Sequence, residues 1–502
     1  MKRTRLFIFT LLIAMLMSVI SVAPALTQGE TLTIWADVTR AEVILELGEE
    51  YTEETGITIE VREIGLGDAR DELLNFGEAG EGPDILIQPH DNIGQLVANG
   101  AIVPMQLPTD LEEQFITSAL NLFTYQDELW AVPYAVENVA LIRNTDLVPE
   151  APATWEEVAE ISRNLRESGD AEFGFLMRTG DAYHSFPIIS AFGGYIFGFN
   201  DDGSYNVADI GLNSDGGLAA AQWMADLYAD ELMVPNVDDD VSRELFAAGD
   251  LAMWITGPWN SEEITNSGVP FSIDPIPGSE FAGIEVGSPF IGGQGFMISA
   301  FSENQLLAEE FLLNFIATPD SMEALAERVP VFAGVESSDP NIAAFIAAGE
   351  TGVPMPVIPE MSSVWGAAGD ALTNVSLGEN PIDSFETAVV QIEESIEEAA
   401  SGAVNTVNLP GSFNDQFGCD GPWIPSCEAT ELTDMGDGIW SGTFSIAAGE
   451  YEFKIAINGD WPENYGVDGE LDGANYTLVL EEDSEVTFTY DRATNLVEVE
   501  IN

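Results

Sequence analysis

The stretch TLTIWADVTRAEVILELGEEYTEETGITIEVREI, residues 31–64, decides the fold of the first part of the chain. Residues 31–36 and 57–64 alternate between apolar and polar side chains, which is typical of strands. Between them, residues 41–55 place apolar side chains at helical spacing, and Gly56 ends that helix. A strand, a helix and a strand in this order predict a parallel pair of strands joined by a right-handed crossover.

The same alternation continues downstream. A helix is expected over about 69–77, an apolar strand over 84–87 and a further helix over 93–99. The repeated order predicts an α/β fold whose parallel sheet is covered by helices on both faces. In such sheets ligands bind beyond the carboxyl ends of the strands, which fall here at 37–40 and 88–92.

The pattern of apolar residues changes near Ser401, from alternating helices and strands to short strands only. A second α/β segment is expected over about 138–277, and long helical patterns occupy 304–317 and 382–400. From 407 to 502 short alternating strands are separated by turn residues, which predicts an all-β, immunoglobulin-like sandwich. The strands are expected at 439–446, 451–457, 476–480, 485–490 and 496–501, after a linker at 401–406.

The N-terminus has the order of a secretory signal peptide. Residues 1–5 are basic, residues 6–22 are apolar and residues 23–25 are small, so cleavage is expected after Ala25. An uncleaved membrane anchor is the alternative, because the apolar run approaches spanning length. The mature protein is therefore expected in the periplasm or outside the cell.

The two cysteines, Cys419 and Cys427, lie far from the signal, so no thiol is available for a lipid anchor at a mature N-terminus. Two cysteines eight positions apart in an exported chain predict one local disulfide. The two histidines, His90 and His184, are distant from them in the sequence. No zinc site and no cofactor are expected.

The chain carries 87 acidic residues against 14 basic ones, a formal net charge of −73 at pH 7. Nucleic-acid binding is excluded, because contacts to phosphates need a basic surface. The one lysine beyond the expected signal is Lys454. Such a surface suits a salty environment, where screening weakens self-repulsion, and a merely solubilising acidic surface would look the same.

Seven stretches, in the same order, resemble the maltose/maltodextrin-binding proteins of bacterial import systems. They are LTIWAD (32–37), GEGPDILIQPHDNIGQLVANG (80–100), LWAVPYAVENVALIRNTDLVP (129–149), TWEEV (154–158), FGGYIF (192–197), ITGPWN (255–260) and VIPEMSSVW (357–365). The resemblance covers most of residues 30–400. It implies a periplasmic-binding-protein fold, in which two hinged, discontinuous α/β lobes close on a sugar, and a monomer that delivers the sugar to the permease subunits of an ABC importer.

The resemblance also implies the bounds of the lobes within 26–400. The first lobe is expected at about 30–136 and 289–318, and the second at about 140–284 and 324–400. The chain would then cross between the lobes near 136–140, 284–289 and 318–324.

Eight residues fall at positions where this family contacts the sugar, although Thr39, Arg40 and Asp181 stand where the family has an acid, a lysine and a glutamate. They are Thr39, Arg40, Asp91, Glu137, Asp181, Tyr183, Trp259 and Trp365. Four positions depart from the family pattern: Gln88 stands for a stacking tryptophan, Asn92 for an arginine, Gly366 for a tyrosine and Gly369 for an arginine. Fewer side chains would then fill the cleft, and the hypothesis is a roomier site for longer or branched glucans, or for a different oligosaccharide.

Several of these residues also have a structural interpretation. Trp259 could be a core aromatic, Glu137 could cap the hinge, and Arg40 could be a surface cation that pairs with the acidic excess. Asp91 beside His90 suggests acid–base catalysis, but no nucleophile or second catalytic carboxylate is indicated. A binding protein is therefore expected, and not an enzyme.

The C-terminal segment resembles the starch-binding modules of amylopullulanases. The stretches that carry the resemblance are LPGSFNDQFGCDGPWIPSC (409–427), GDGIWSGTFSIAAGEYEFKIAINGDWPENYG (436–466) and GANY (473–476). It implies an α-glucan site with Trp461 and Tyr465 as aromatic platforms and Lys454 and Asn475 as polar contacts. Trp461 could instead pack on the edge of the sandwich, and Trp423 is expected to pack against the disulfide.

Two unrelated folds thus point to α-glucans. The expected function is capture of maltodextrin-like oligosaccharides for import, with the C-terminal module retaining glucan nearby. A secreted starch-capture protein without a transporter, and a binding protein for a different oligosaccharide, remain the alternatives.

Overall fold

The computed structural model describes residues 31–501 except 201, 326–328, 338, 402–405, 420, 437, 472 and 493. The expected signal peptide, 1–25, and most of the expected linker lie outside the described residues. In the described part of the chain, no helix is both long and apolar enough to cross a bilayer.

The elements follow one another as two α/β segments and an all-β segment. Up to residue 144 they are β1 (Thr31–Ala36), α1 (Ala41–Thr55), β2 (Thr58–Glu63), α2 (Leu66–Phe76), β3 (Ile85–Pro89), α3 (Ile93–Ala98), α4 (Thr109–Glu112), α5 (Thr117–Leu122), β4 (Thr124–Tyr125), β5 (Glu128–Leu129), β6 (Val132–Glu137) and β7 (Ala140–Asn144). Up to residue 286 follow α6 (Trp155–Ser168), β8 (Phe173–Leu176), α7 (Ala182–Ala191), β9 (Phe197–Phe199), β10 (Tyr205–Ile210), α8 (Asp215–Ala229), α9 (Asp239–Ala248), β11 (Leu251–Thr256), α10 (Ser261–Asn266), β12 (Phe271–Asp274), β13 (Pro277–Ser279) and β14 (Ile284–Val286). Then come β15 (Phe290–Ile298), α11 (Gln305–Phe311), α12 (Pro319–Ala324), β16 (Val329–Pro330), α13 (Ile342–Ala348), β17 (Val353–Pro354), α14 (Ser362–Ser376) and α15 (Pro381–Ser401). The all-β segment holds β18 (Val407–Asn408), β19 (Thr433–Gly436), β20 (Ile439–Ile446), β21 (Gly449–Phe453), β22 (Ile455–Ile457), β23 (Asp460–Tyr465), β24 (Tyr476–Leu480), β25 (Ser484–Asp491) and β26 (Leu496–Ile501).

The first lobe is built around a mixed sheet with the order β16–β6–β15–β3–β1–β2, in which β17 also pairs with β15. β1 pairs in parallel with β2 and β3, as the sequence predicts, but β15 runs antiparallel to both β3 and β6. Both faces of the sheet are buried. Leu32 and Ile34 point into one core and Trp35 into another, as the alternation of side chains along a strand requires.

The second lobe is built around a four-stranded sheet with the order β12–β7–β11–β8. Its central strand β11 is buried at every position. The core on this sheet includes Trp155 and Trp254, and also Val364 of α14 and Ile392 of α15. The described chain is therefore a two-lobed α/β structure up to residue 401.

The described chain crosses between the two cores three times. The first crossing leads from β6 to β7 and the second from β14 to β15. The third lies later than the expected 318–324, because Met322, Leu325 and Phe332 still pack in the first core and Ile342 is the next to pack in the second.

From Val407 onward the described chain is all-β with antiparallel pairing, as the sequence predicts. Its sheets have the orders β19–β20–β25–β26, β18–β22–β23 and β21–β24. They share a core that includes Phe453 and Phe488. The predicted disulfide between Cys419 and Cys427 is confirmed.

Candidate functional site

A hydrogen bond joins the two lobes at one of the expected site residues. Asp91 lies in a short turn directly after β3, and Trp365 lies in the first turn of α14. Trp365 Nε1 donates to Asp91 Oδ2 at 3.0 Å. Burial raises the pKa of Asp91 to about 6, although the Trp365 bond and the charge of Arg70 act in the opposite direction. The carboxyl group is therefore held at the junction of the lobes with little solvent around it.

Aromatic rings line the second-lobe side of this junction. The ring of Tyr183 lies 6.2 Å from that of Trp259 and 6.3 Å from that of Phe290, which in turn lies 6.2 Å from the ring of Trp365. Trp259 and Trp365 remain half-buried, so part of each ring is accessible. Phe290 was not predicted from the sequence. It is the first residue of β15, directly after the second crossing, and that position was the signal that could have identified it.

Glu137 lies at the first crossing, on the last position of β6. Its Oε1 accepts a hydrogen bond from Gln294 Nε2 at 3.1 Å. A Cβ atom placed on Gly292 would lie 3.4 Å from Glu137 Cγ and 3.5 Å from the Tyr183 hydroxyl. Glu137 and Tyr183 thus approach the same stretch of bare backbone from the two lobes.

Asp181 is engaged within the second lobe. It caps the N-terminus of α7, where it accepts from the His184 amide at 2.9 Å, and it lies 2.9 Å from His184 Nδ1. Burial alone would raise the pKa of Asp181, but the charges and hydrogen bonds of His184 and the charge of Arg178 lower it to about 2. The His184 ring lies 5.7 Å from that of Trp259, so Asp181 orients a neighbour of the aromatic wall.

Thr39 and Arg40 lie after β1 in the first lobe. Thr39 is exposed, and both its amide and its hydroxyl donate to Asp37 Oδ1. Arg40 is 2% exposed, donating from Nε to the Tyr134 hydroxyl at 3.2 Å and from Nη1 to the Thr39 carbonyl at 2.8 Å. The interpretation of Arg40 as a surface cation is therefore wrong, since its guanidinium supports the loop from inside.

The four departures from the family pattern form two pairs. Gln88 and Asn92 are buried and bonded to each other, with Asn92 Nδ2 donating to Gln88 Oε1 at 2.7 Å. Gly366 and Gly369 lie on α14, one turn apart. A Cβ atom on Gly366 would meet open space, whereas one on Gly369 would come within 2.9 Å of the Gly180 carbonyl oxygen.

His90, which was considered from the sequence only as a possible catalytic neighbour of Asp91, joins the first lobe to the segment before α14. Its Nδ1 accepts from the Gly293 amide at 3.2 Å, and its Nε2 lies 3.2 Å from the Met355 carbonyl oxygen. Since Nδ1 accepts, the ring proton is on Nε2 and is donated to Met355. Burial lowers the pKa of His90 to about 4, which keeps this ring neutral.

The arrangement suits a neutral, hydroxyl-rich ligand. Flat aromatic faces can cover apolar C–H surfaces, while the carboxylates of Asp91 and Glu137 can accept hydrogen bonds from hydroxyl groups. Among the described residues, no three histidine, cysteine, aspartate or glutamate side chains come together in a way that could hold a metal ion.

Three of the four residues expected to hold glucan in the C-terminal segment line one cavity of about 590 Å³. They are Lys454, Trp461 and Asn475. Tyr465 is not among the lining residues; it is 8% exposed and bonded to Glu463 and Arg492. Trp423, expected against the disulfide, also lines the cavity, with its ring 6.4 Å from that of Trp461.

Comparisons with known proteins agree with this division of the chain. Residues 46–348 match a family described as bacterial extracellular solute-binding protein, and residues 406–497 match the pullulanase X25 domain. A galactooligosaccharide-binding protein of Bacillus subtilis is 30% identical over 76% of this chain and 93% of its own length. A maltodextrin-binding protein of the same organism is 28% identical over 75% of this chain and 92% of its own length.

The C-terminal segment has relatives of another kind. It is 32% identical to part of an amylopullulanase of Thermoanaerobacterium thermosulfurigenes, over 17% of this chain and 5% of that protein. The first family match, by contrast, spans more than half of the chain, and the two Bacillus subtilis relatives are aligned over 93% and 92% of their length. The protein thus belongs to the family of bacterial extracellular solute-binding proteins.

Proposed function

We propose that the protein captures malto-oligosaccharides between its two lobes and delivers them to the permease subunits of an ABC importer. The observation that carries this proposal is the wall of Tyr183, Trp259 and Trp365 facing Glu137 and Asp91 across the lobe junction. Hinged closure around a ligand is the general behaviour of such proteins. The names of the relatives support an oligosaccharide as the ligand.

The module after residue 406 is proposed to act as a second glucan site. Its likeness to the pullulanase domain favours α-glucans over the galactooligosaccharide named for one relative. Its antiparallel sheets are proposed to form an immunoglobulin-like sandwich. A tethered second site raises the local concentration of ligand near the cleft without adding any cleft contact.

The proposed bounds follow the packing of the two cores. The first lobe comprises about 31–137 and 289–332, and the second about 140–286 and 342–400. The mature protein is proposed to be an exported monomer. The cleft is proposed to be non-catalytic, because the relatives that match along nearly their whole length are named as binding proteins.

Calorimetric titration of the full chain with maltotriose tests the proposal, with a galactooligosaccharide titrated in parallel. Maltotriose is expected to bind more tightly, and Trp365→Ala is expected to weaken it by about 30-fold, as loss of a central aromatic contact costs about 2 kcal/mol. Phe199→Ala is the matched control, because it removes an exposed aromatic ring of the second lobe that belongs to neither proposed sugar site.

The alternatives give different results. Tighter binding of the galactooligosaccharide would move the assignment to that sugar class. Failure of both sugars to bind, or equal weakening by both substitutions, would overturn the proposed cleft.

A further inference from the structure

A cavity of about 590 Å³ lies between the first lobe and the C-terminal module. Its size falls within the range of about 300–1,000 Å³ that small-molecule sites occupy. It is separate from the junction of the two lobes, since none of the cleft residues described above lines it.

The module supplies one wall. The rings of Trp423 and Trp461 lie 6.4 Å apart and are inclined by 40°. Beside them, Lys454 Nζ donates to Asn464 Oδ1 at 2.9 Å, and Asn464 Nδ2 donates to the Trp461 carbonyl at 2.8 Å. This wall therefore combines two angled apolar faces with a fixed cation and amide.

The first lobe supplies the opposite wall. Asn75 and Phe76, from the end of α2, line the cavity, together with Asn99 after α3 and Phe301 after β15. These residues repeat the chemistry of the module wall, aromatic faces next to amide groups. A ligand in the cavity would contact both walls.

We propose that this cavity is a composite site for a soluble α-glucan segment, and that the first lobe contributes affinity that the module alone does not have. The inference rests on the proposed glucan-binding role of the module. It adds the four first-lobe residues to that role. It also specifies the ligand as an oligosaccharide segment that fits between two walls, in contrast to the open surface of a starch granule.

The experiment titrates maltotetraose into the full chain carrying Trp259→Ala and Trp365→Ala, so that binding in the cleft is silenced. On that background, Trp461→Ala and Asn75→Ala are added separately. We expect Kd to rise by about tenfold for Trp461→Ala and about fivefold for Asn75→Ala, because each removes a contact from one wall. Asn121→Ala, on the exposed face of α5 in the same lobe, is the matched control and is expected to leave Kd within about twofold.

Each other result overturns the inference. Weakening by Trp461→Ala alone would place the site on the module only, and tighter binding by Asn75→Ala would mean that the first lobe blocks the site. No effect of either would mean that the cavity does not hold the sugar. Phe76→Ala is a second test of the same wall, and maltotriose binding in the otherwise unchanged chain shows whether the first lobe stays intact.

Failure of this inference and failure of the proposed function are distinguishable. The proposed function is judged by maltotriose binding in the chain with its native tryptophans, and the composite site by maltotetraose binding when the cleft is silenced.

Discussion

The ionised carboxylate of Asp91 is expected to favour sugar binding but to destabilise the folded protein. Its carboxyl is 7% exposed in the folded protein and its pKa is raised to about 6 by burial, whereas the pKa of an aspartate in an unfolded chain is about 3.9. Because the folded-state pKa is the higher one, the folded protein is stabilised by proton uptake below about pH 4. This stabilisation is lost as the pH rises through 6.

Asp91→Asn is expected to raise the free energy of unfolding at pH 8 by about 2–3 kcal/mol, since the amide keeps an acceptor for Trp365 and carries no charge. The difference from the native chain should shrink toward pH 5. Sugar affinity should fall, because a carboxylate accepts hydroxyl hydrogen bonds more strongly than an amide. Urea unfolding at both pH values measures the effect on stability.

The control for this substitution is Asp370→Asn, which makes the same change of net charge at an exposed position of α14. It should alter stability by less than about 0.5 kcal/mol. A gap between Asp91→Asn and the native chain that is the same at pH 8 and pH 5 would contradict the raised pKa.

The sequence identified several junction residues but not those that pack behind them. Trp365, Asp91 and Glu137 could be selected from the sequence because they lie in motifs that resemble a known family, and the structure places them at the junction of the lobes. Phe290 and His90 are missing from the predicted set, since a buried phenylalanine or a lone histidine looks the same in a sequence whether it supports a site or fills a core.

At the scale of elements, helix α14 shows how packing overrides local preference. Its sequence contains Gly366 and Gly369, which disfavour a helix, and no helix was predicted there. The helix forms because Val364, Ala368 and Leu372 are buried against the second lobe. It then presents Trp365 to the junction.

The two glycines of α14 are expected to respond differently to substitution. Gly366→Ala should stabilise the protein by about 0.5–1 kcal/mol, because alanine favours a helix and the added methyl meets open space. Gly369→Ala should lose that gain, since its methyl would come within 2.9 Å of the Gly180 carbonyl oxygen. Thermal unfolding of the pair measures this, and the reverse order of Tm would contradict the close approach of α14 to Gly180.

Strand β23 was missed for a different reason. Its sequence, DWPENY, contains a proline and two residues common in turns, so it gives no strand signal. It lies at the edge of the β18–β22–β23 sheet, where a strand can tolerate proline. The periodicity of apolar residues therefore did not predict the strand that carries Trp461, although Trp461 itself was predicted to contact glucan.

At the scale of the whole molecule, a net charge of −73 opposes the docking of the module on the first lobe. Burial, and the carboxylate of Asp71 on α2, raise the pKa of Asp460 on the module. The carboxylates of Asp71, which pairs with Arg70, and Asp460 are therefore close enough to repel each other where the module meets the first lobe.

Salt is expected to strengthen sugar binding at that site. Raising NaCl from 0.1 M to 1 M shortens the screening length from about 10 Å to about 3 Å and weakens the repulsion between Asp71 and Asp460. Kd for maltotetraose in the cleft-silenced chain should fall by about twofold or more, and Asp71→Asn should reduce this dependence. A Kd that rises with salt would contradict the role given to the two carboxylates.

The architecture was predicted more completely than its connections. The order of α/β segments and the change to short strands near residue 401 are visible in the pattern of apolar residues, and both are confirmed. The antiparallel insertion of β15 was not predicted, and the third crossing was expected at 318–324, earlier than the packing of the two cores places it. They depend on contacts between residues far apart in the chain, which periodicity does not report.

The place of β15 in the first sheet has a consequence for how the chain is made. β15 lies between β3 and β6, so those two strands have no shared partner until the first part of the second lobe, about 140–286, has been synthesised. During synthesis the N-terminal segment therefore emerges with one edge of β3 and both edges of β6 unpaired, and such edges are prone to aggregate or to pair wrongly. Delayed closure of this sheet also leaves the chain unfolded for longer, as the proposed export across a membrane would require.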